Sequence, residues 1–229
     1  MNLKKAPQGA FLCYTFSMDA VYILGNGSLV NNEEIRFSIR SLEENMLDLR
    51  NIYIIGDDPK FLKDFKHISA LDSFTERWKN SFHKIILACS IPEISEEFLL
   101  MNDDFFMLEP FQGADFPFYA LKGSNGGNDG MHSFHIHAPL RINKEWFLKM
   151  PFDINSKGHR SPRTFYCNFY KAPPKFCDDF VVRAGEGCKD FDLQIKNKPL
   201  FSIGDTAMIW EPFTVWLMYL FPHPSRFEI

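Results

Sequence analysis

Asn102-Asp103-Asp104 sets two adjacent carboxylates behind a carboxamide. Oxygen donors of this kind suit a hard divalent cation, Mg²⁺ or Mn²⁺, which keeps waters and substrate phosphates in its shell. A nucleotide diphosphate would supply those phosphates. The alternative is a turn or a helix cap, the ordinary use of neighbouring Asn and Asp. His132, His135 and His137 crowd together, and an extended segment would put His135 and His137 on one face. Histidine, whose pKa lies at about 6.5, is the usual base for a hydroxyl nucleophile. Zinc has little support, with no cysteine close by and no HExxH in the chain. His159-Arg160-Ser161-Pro162-Arg163 reads as a solvated loop or, in a phosphate-handling protein, as a pair of guanidiniums that clamp a phosphate. Neither GxGxxG nor GxxxxGK[ST] occurs, which removes the main sequence support for dinucleotide oxidoreductases and P-loop enzymes.

The elements that must position these residues follow from periodicity. Asp19 to Leu24 is a β-rich run closed by Gly25-Asn26-Gly27, hence a strand and a tight turn. From Glu33 to Met46 the apolar residues Ile35, Ile39, Leu42 and Met46 recur at helical spacing, with Arg36 and Arg40 off the stripe. Asn51 to Ile55 is a second strand, Phe61 to Phe65 a short helix, and His67 to Ala70 a third strand. Trp78 to Ser90 reads as a helix, and the apolar strand Glu97 to Met101 runs straight into the acidic pair. Repeated βα units imply a mainly parallel sheet, whose ligands bind beyond the carboxyl ends of the strands. Asp103 and Asp104 fall at such an end. Residues 123–130 form a glycine-rich polar loop, a candidate flap. Lys144 to Met150 looks helical, Thr164 to Tyr170 is a short helix or strand, and residues 185–204 read as loop with short strands. Pro212 can open a last helix, Phe213 to Leu220.

The 229 residues suit one sizeable core, with 45% hydrophobic and 24% charged residues. Twenty-five basic against 29 acidic residues leave a formal charge of −4, so nucleic acid is disfavoured as a partner. Five scattered cysteines fit a reducing, cytoplasmic setting better than a disulfide framework. No export signal develops after the basic start. The longest apolar tract, Pro212 to Phe221, is too short to span a bilayer and reads as a core helix or a peripheral contact at the inner face of the membrane.

Several blocks, in order, resemble the Stealth family of capsular polysaccharide phosphotransferases, relatives of the N-acetylglucosamine-phosphotransferase of lysosomal targeting. Asp19-Ala20-Val21-Tyr22 with Asn26-Gly27-Ser28 is similar to the first block. Glu34 to Leu42, Arg50 to Ile55 and Ile94 to Phe106 are similar to the second. His137-Ala138-Pro139, Lys144 and His159 to Pro162 resemble the third, and Gly204-Asp205 with Leu220 to Glu228 the fourth. The chain departs from the family at Leu24-Gly25, at Leu29 and near Lys84, where the family carries Trp-Val, an acidic residue and a glutamate.

The resemblance implies a GT-A-like nucleotide-sugar transferase fold, α/β with a mainly parallel central sheet and helices on both faces. It implies a single catalytic domain, with residues 1–122 as the nucleotide-sugar-binding half and 123–229 as the flap and acceptor-side half. Asp19 would border the nucleotide, Asp103 and Asp104 the metal, His137 the acceptor hydroxyl, Arg160 a phosphate and Asp205 the diphosphate. Asn26, Arg36, Arg40 and Arg163 join the substrate-binding set. The implied reaction moves a sugar 1-phosphate from a UDP-sugar donor to a glycan or oligosaccharide acceptor and releases UMP. The same residues also suit a conventional glycosyltransferase that releases UDP, or a non-catalytic carbohydrate-binding protein on this fold.

Overall fold

The computed structural model describes residues 17–123, 125–126, 131–134, 137–154, 161–186, 188, 190–204 and 206–229. Its central sheet holds β1 (Met18–Leu24), β2 (Leu49–Gly56), β3 (Lys66–Ser69), β4 (Glu97–Met101) and, further along the chain, Leu140–Asn143, in the order β3-β2-β1-β4 followed by Leu140–Asn143. The first four are mutually parallel; Leu140–Asn143 pairs antiparallel with β4. Strand residues alternate between two apolar layers, as the period of two requires. Ala20, Tyr22, Leu24, Ile54 and Leu99 pack against Ile35, Ile39 and Leu42 of α1 (Glu33–Asn45). Val21, Tyr53, Ile55, Phe98 and Leu100 pack on the other side against Phe82 and Ile85 of α2 (Arg77–Ser90). The helices thus cover both faces of a mainly parallel sheet, and the expected α/β architecture holds.

The chain leaves β4 through Asn102–Asp104 into β5 (Phe105–Met107), then passes through β6 (Phe118–Leu121), β7 (Asn125–Gly126) and β8 (Met131–His132) to β9 (Leu140–Asn143). Next come α3 (Lys144–Lys149), α4 (Pro162–Phe169), β10 (Pro174–Cys177), β11 (Val181–Val182), α5 (Phe191–Ile195), β12 (Leu200–Ile203) and α6 (Glu211–Leu220). β12 lies between β11 and β5, antiparallel to β5. Phe106, Phe201, Phe213 and Leu217 are fully buried there in a third cluster, so α6 is a core helix on its inner face. Its outer face exposes Val215, Met218 and Tyr219. No helix among the described residues is long and apolar enough to cross a membrane.

The helix expected at Phe61 to Phe65 does not form. That segment spends its backbone groups on the distant chain end: Lys63 N–H donates to the Phe227 carbonyl (2.6 Å) and Ile229 N–H to the Phe61 carbonyl (3.1 Å). Asp64 adopts a left-handed φ of 55°, which interrupts a helix. Residues 185–204 also hold α5, which the sequence pattern did not show. Most of the proposed flap, residues 124 and 127–130, lies outside the described residues; Asn125–Gly126 pairs with β8.

Candidate functional site

A cavity of about 570 Å³ opens at the carboxyl ends of β1 and β4. Asn102, Asp103 and Asp104 line it, opposite the Gly25–Leu29 loop, with Glu34, Asp72, Arg77 and Lys84 around it and Ile203-Gly204 at the exit of β12. The acidic turn is fixed from both sides. β4 is anchored in the sheet, while α1 grips β5 through polar side chains on its inner face. Ser38 Oγ donates to the Phe105 carbonyl (2.5 Å), Ser41 Oγ accepts from Met107 N–H (2.9 Å), and Asn45 Nδ2 donates to the Met107 carbonyl (3.1 Å). These buried hydrogen bonds satisfy strand groups that no strand among the described residues reaches on that side. Tyr22 hydrogen-bonds Ser38 (3.0 Å), and burial, reinforced by the charge of Asp103, pushes its hydroxyl well above the ordinary tyrosine range, so it stays neutral.

The loop after β1 is organised by Ser28. Its Oγ accepts from Val30 N–H (3.2 Å) and Asn32 N–H (2.9 Å) and donates to Glu34, which is buried in the first turn of α1. Asn26 lines the cavity, with its N–H directed at Asp72 Oδ2 (3.5 Å). Lys84, on α2, is buried and donates to the Leu24 carbonyl (2.6 Å) and Asp72 Oδ1 (2.5 Å). It neutralises Asp72 in the cavity floor and ties α2 to the end of β1. Gly56 makes this junction possible: at φ 126° its Cα lies so close to the Leu24 carbonyl that a Cβ would come within 1.9 Å of the oxygen. Asp72 and Lys84 were not legible as site residues, because a lone Asp in a loop and a lone Lys on a helix carry no spacing signal.

On the far side of β4, the register Leu100↔Leu140 places the residues before β9 along the same carboxyl edge. His137 stands there, about half exposed, with its Nδ1 3.1 Å from both carboxylate oxygens of Asp179. Burial pushes the Asp179 carboxyl up, but its bonds with His137 outweigh this and hold it below the usual carboxylate range. Arg163, in the first turn of α4, donates from Nη2 to the Ala138 carbonyl (2.5 Å), and its guanidinium lies 5.4 Å from the Phe105 ring centre. Burial lowers its pKa to about 10, opposed by Cys167 and by the charge of Asp104, so it is cationic at neutral pH. Arg163 therefore joins the His137 loop, through Ala138, to Phe105, the residue that follows the acidic turn. Neither His137 nor Arg163 lines the cavity itself.

Three expected substrate-binding residues lie elsewhere. Asp19 is buried at the amino end of β1, opposite the cavity, where Arg50, Asn51 and the Ser95 amide engage both of its oxygens. Burial alone would raise its pKa, but these partners hold it below the usual range. Arg36 and Arg40 grip Glu228 at the chain end (Nη1–Oε2 2.7 Å and Nε–Oε1 2.6 Å), and Arg40 also donates to the Phe221 carbonyl. Their position off the apolar stripe of α1 made them available, and the C-terminal segment uses them. Arg160, Asp205 and His135 lie outside the described residues. Among the described residues no group of three or more His, Cys, Asp or Glu side chains could by itself hold a metal ion.

The fold is that of the GT-A transferases. The crystal structure of the galactosyltransferase LgtC in complex with donor and acceptor sugar analogs superposes with a TM-score of 0.56 and 13% identity, covering 91% of this chain and 98% of that one. The structure of an active-site mutant of LgtC gives 0.55 and 12% over the same shares. No family model matches the chain. In sequence, 114 residues are 25% identical to the capsular polysaccharide phosphotransferase LcbA of Neisseria meningitidis. The match covers 45% of this chain and 31% of LcbA, so the chain spans under a third of the length of that relative.

Proposed function

We propose that the chain transfers a sugar 1-phosphate from a UDP-sugar to a glycan hydroxyl, releasing UMP, in the assembly of a surface polysaccharide. The observation that carries this reading is the placement of Asp103–Asp104 and of the His137 loop, held by Arg163, along one carboxyl edge of the sheet. The local likeness to LcbA and the order of the Stealth-like blocks give the reading its reaction class.

The donor set fits a hard cation in part. Asn102, Asp103 and Asp104 offer only oxygen atoms around a polar cavity, and substrate phosphates would complete the shell. Bound there, Mg²⁺ or Mn²⁺ would neutralise charge on the diphosphate. Arg163 adds a second positive charge beside Asp104, oriented by its bond to Ala138. His137 accepts the proton of the attacking hydroxyl; the hydroxyl oxygen forms the new O–P bond to the sugar-proximal phosphorus, the bond from that phosphorus to the bridging oxygen breaks, and its electron pair stays on the bridging oxygen, which leaves as part of UMP. Lys84 and Asp72 shape the floor without taking part in proton transfer.

A conventional glycosyltransferase is the second reading, favoured by the likeness to LgtC over nearly the whole chain. Incubation with a panel of UDP-sugars, Mn²⁺ and an oligosaccharide acceptor, with the released nucleotide identified by mass, separates them. UMP is the expected product. UDP as the sole nucleotide product would transfer the reading to glycosyl transfer.

A further inference from the structure

We propose that Asp179 is a positioning residue for His137, holding the imidazole in the tautomer with hydrogen on Nδ1 so that Nε2 keeps its lone pair for the proton of an attacking hydroxyl. The last clause rests on the proposed transferase reading; the tautomer does not.

The geometry is one-sided. A carboxylate only accepts hydrogen bonds, and both oxygens of Asp179 lie 3.1 Å from Nδ1, so a neutral ring must donate from that nitrogen and leave Nε2 as an acceptor. The backbone N–H of His137 also points at Asp179 Oδ1 (3.4 Å), so one carboxylate holds both the ring and the main chain of the same residue.

Asp179 is itself held firmly. Its Oδ1 accepts the N–H of Phe180 (2.8 Å), and Phe180 is buried with its ring 5.0 Å from that of Tyr119. The Phe180 carbonyl accepts from Ser202 N–H (3.2 Å), and β11 then pairs with β12. The carboxylate is thus mounted on the small sheet whose strand β12 delivers Ile203-Gly204 to the cavity. Its neighbour Asp178 turns to Lys122 instead (3.3 Å). The two partners are 42 residues apart, so the pairing is tertiary and no local motif reveals it.

Long-range ¹H–¹⁵N correlation NMR on histidine-labelled protein reads the tautomer directly, with His137 assigned by its loss in His137→Gln. At about pH 8.5, well above the ordinary histidine pKa, the expected spectrum shows Nδ1 protonated and Nε2 unprotonated, and Asp179→Ala loses that preference. An Nε2–H tautomer in the unaltered protein, or the same tautomer with and without Asp179, would overturn the proposal. The unaltered protein decides the first point even if the alanine variant does not fold. The spectrum needs no substrate, so it stands or falls apart from the transferase reading, which fails on its own test if His137→Ala retains full turnover.

Discussion

Asp19 and the Asp103–Asp104 pair sit at opposite ends of two neighbouring strands, β1 and β4, and both looked like ligand-binding carboxylates. At the amino end, Asp19 receives Arg50 Nε (2.8 Å) and Asn51 Nδ2 (2.9 Å) on one oxygen, and Arg50 Nη2 and the Ser95 amide (2.8 Å) on the other. Its lone pairs are spent inside the protein, and it holds β1 to the starts of β2 and β4. At the carboxyl end, Asp103 and Asp104 face a cavity of about 570 Å³. A parallel sheet places loops and cavities at its carboxyl edge, so acidic residues there can meet a ligand. The end of the strand that carries it decides whether such a side chain is spent inside the protein or faces a cavity.

Three substitutions sharpen the contrast. His137→Ala, at the carboxyl edge, is expected to lower turnover by about 10²–10⁴-fold while leaving nucleotide affinity and melting temperature nearly unchanged; steady-state kinetics beside calorimetry reads both. Asp19→Ala, at the amino edge, should do the reverse. Loss of a buried ion pair whose remaining partner, Arg50, still reaches solvent should cost about 3 kcal/mol, or roughly 6–12 °C in melting temperature, with nucleotide binding intact below the transition. A thermal shift under about 2 °C would remove the structural role assigned to Asp19.

Glu228→Gln is the mildest. Burial would raise the pKa of Glu228, but Arg40, Arg36 and the Ser225 amide hold it down, from an ordinary 4.5 to about 2. A carboxylate depressed on folding adds stability that is fully present above its unfolded value and fades as pH falls through its folded value. Chemical denaturation should therefore show a loss for Glu228→Gln of about 2 kcal/mol near neutrality. The gap from the unaltered protein should narrow between pH 4.5 and about 2. A gap independent of pH across that window would mean that the charge of Glu228 is not what pins the chain end.

The sequence exposed one half of this architecture well. The helical stripe Ile35-Ile39-Leu42, the strand Glu97 to Met101 and the acidic turn behind it were legible because their signals are local: a period, a run and an adjacent pair. What escaped was set by distant partners. Arg36 and Arg40 are committed to Glu228, and Phe61 to Phe65 forgoes a helix to pair with the same chain end. Saturation of a side chain is a tertiary property that spacing does not encode. Asp179, Asp72 and Lys84 escaped for the same reason, each significant only through the residue it meets.

The central claim, that the carboxyl edge holds a metal-dependent nucleotide-sugar site, is tested most directly by titrating UDP-N-acetylglucosamine and UDP into the protein by calorimetry, once in excess Mn²⁺ and once in EDTA, with Asp104→Ala alongside. Binding is expected in Mn²⁺, with strong weakening in EDTA and in the Asp104→Ala protein. Equal affinity for UDP in both buffers, or an Asp104→Ala protein that binds as well as the unaltered one, would contradict it.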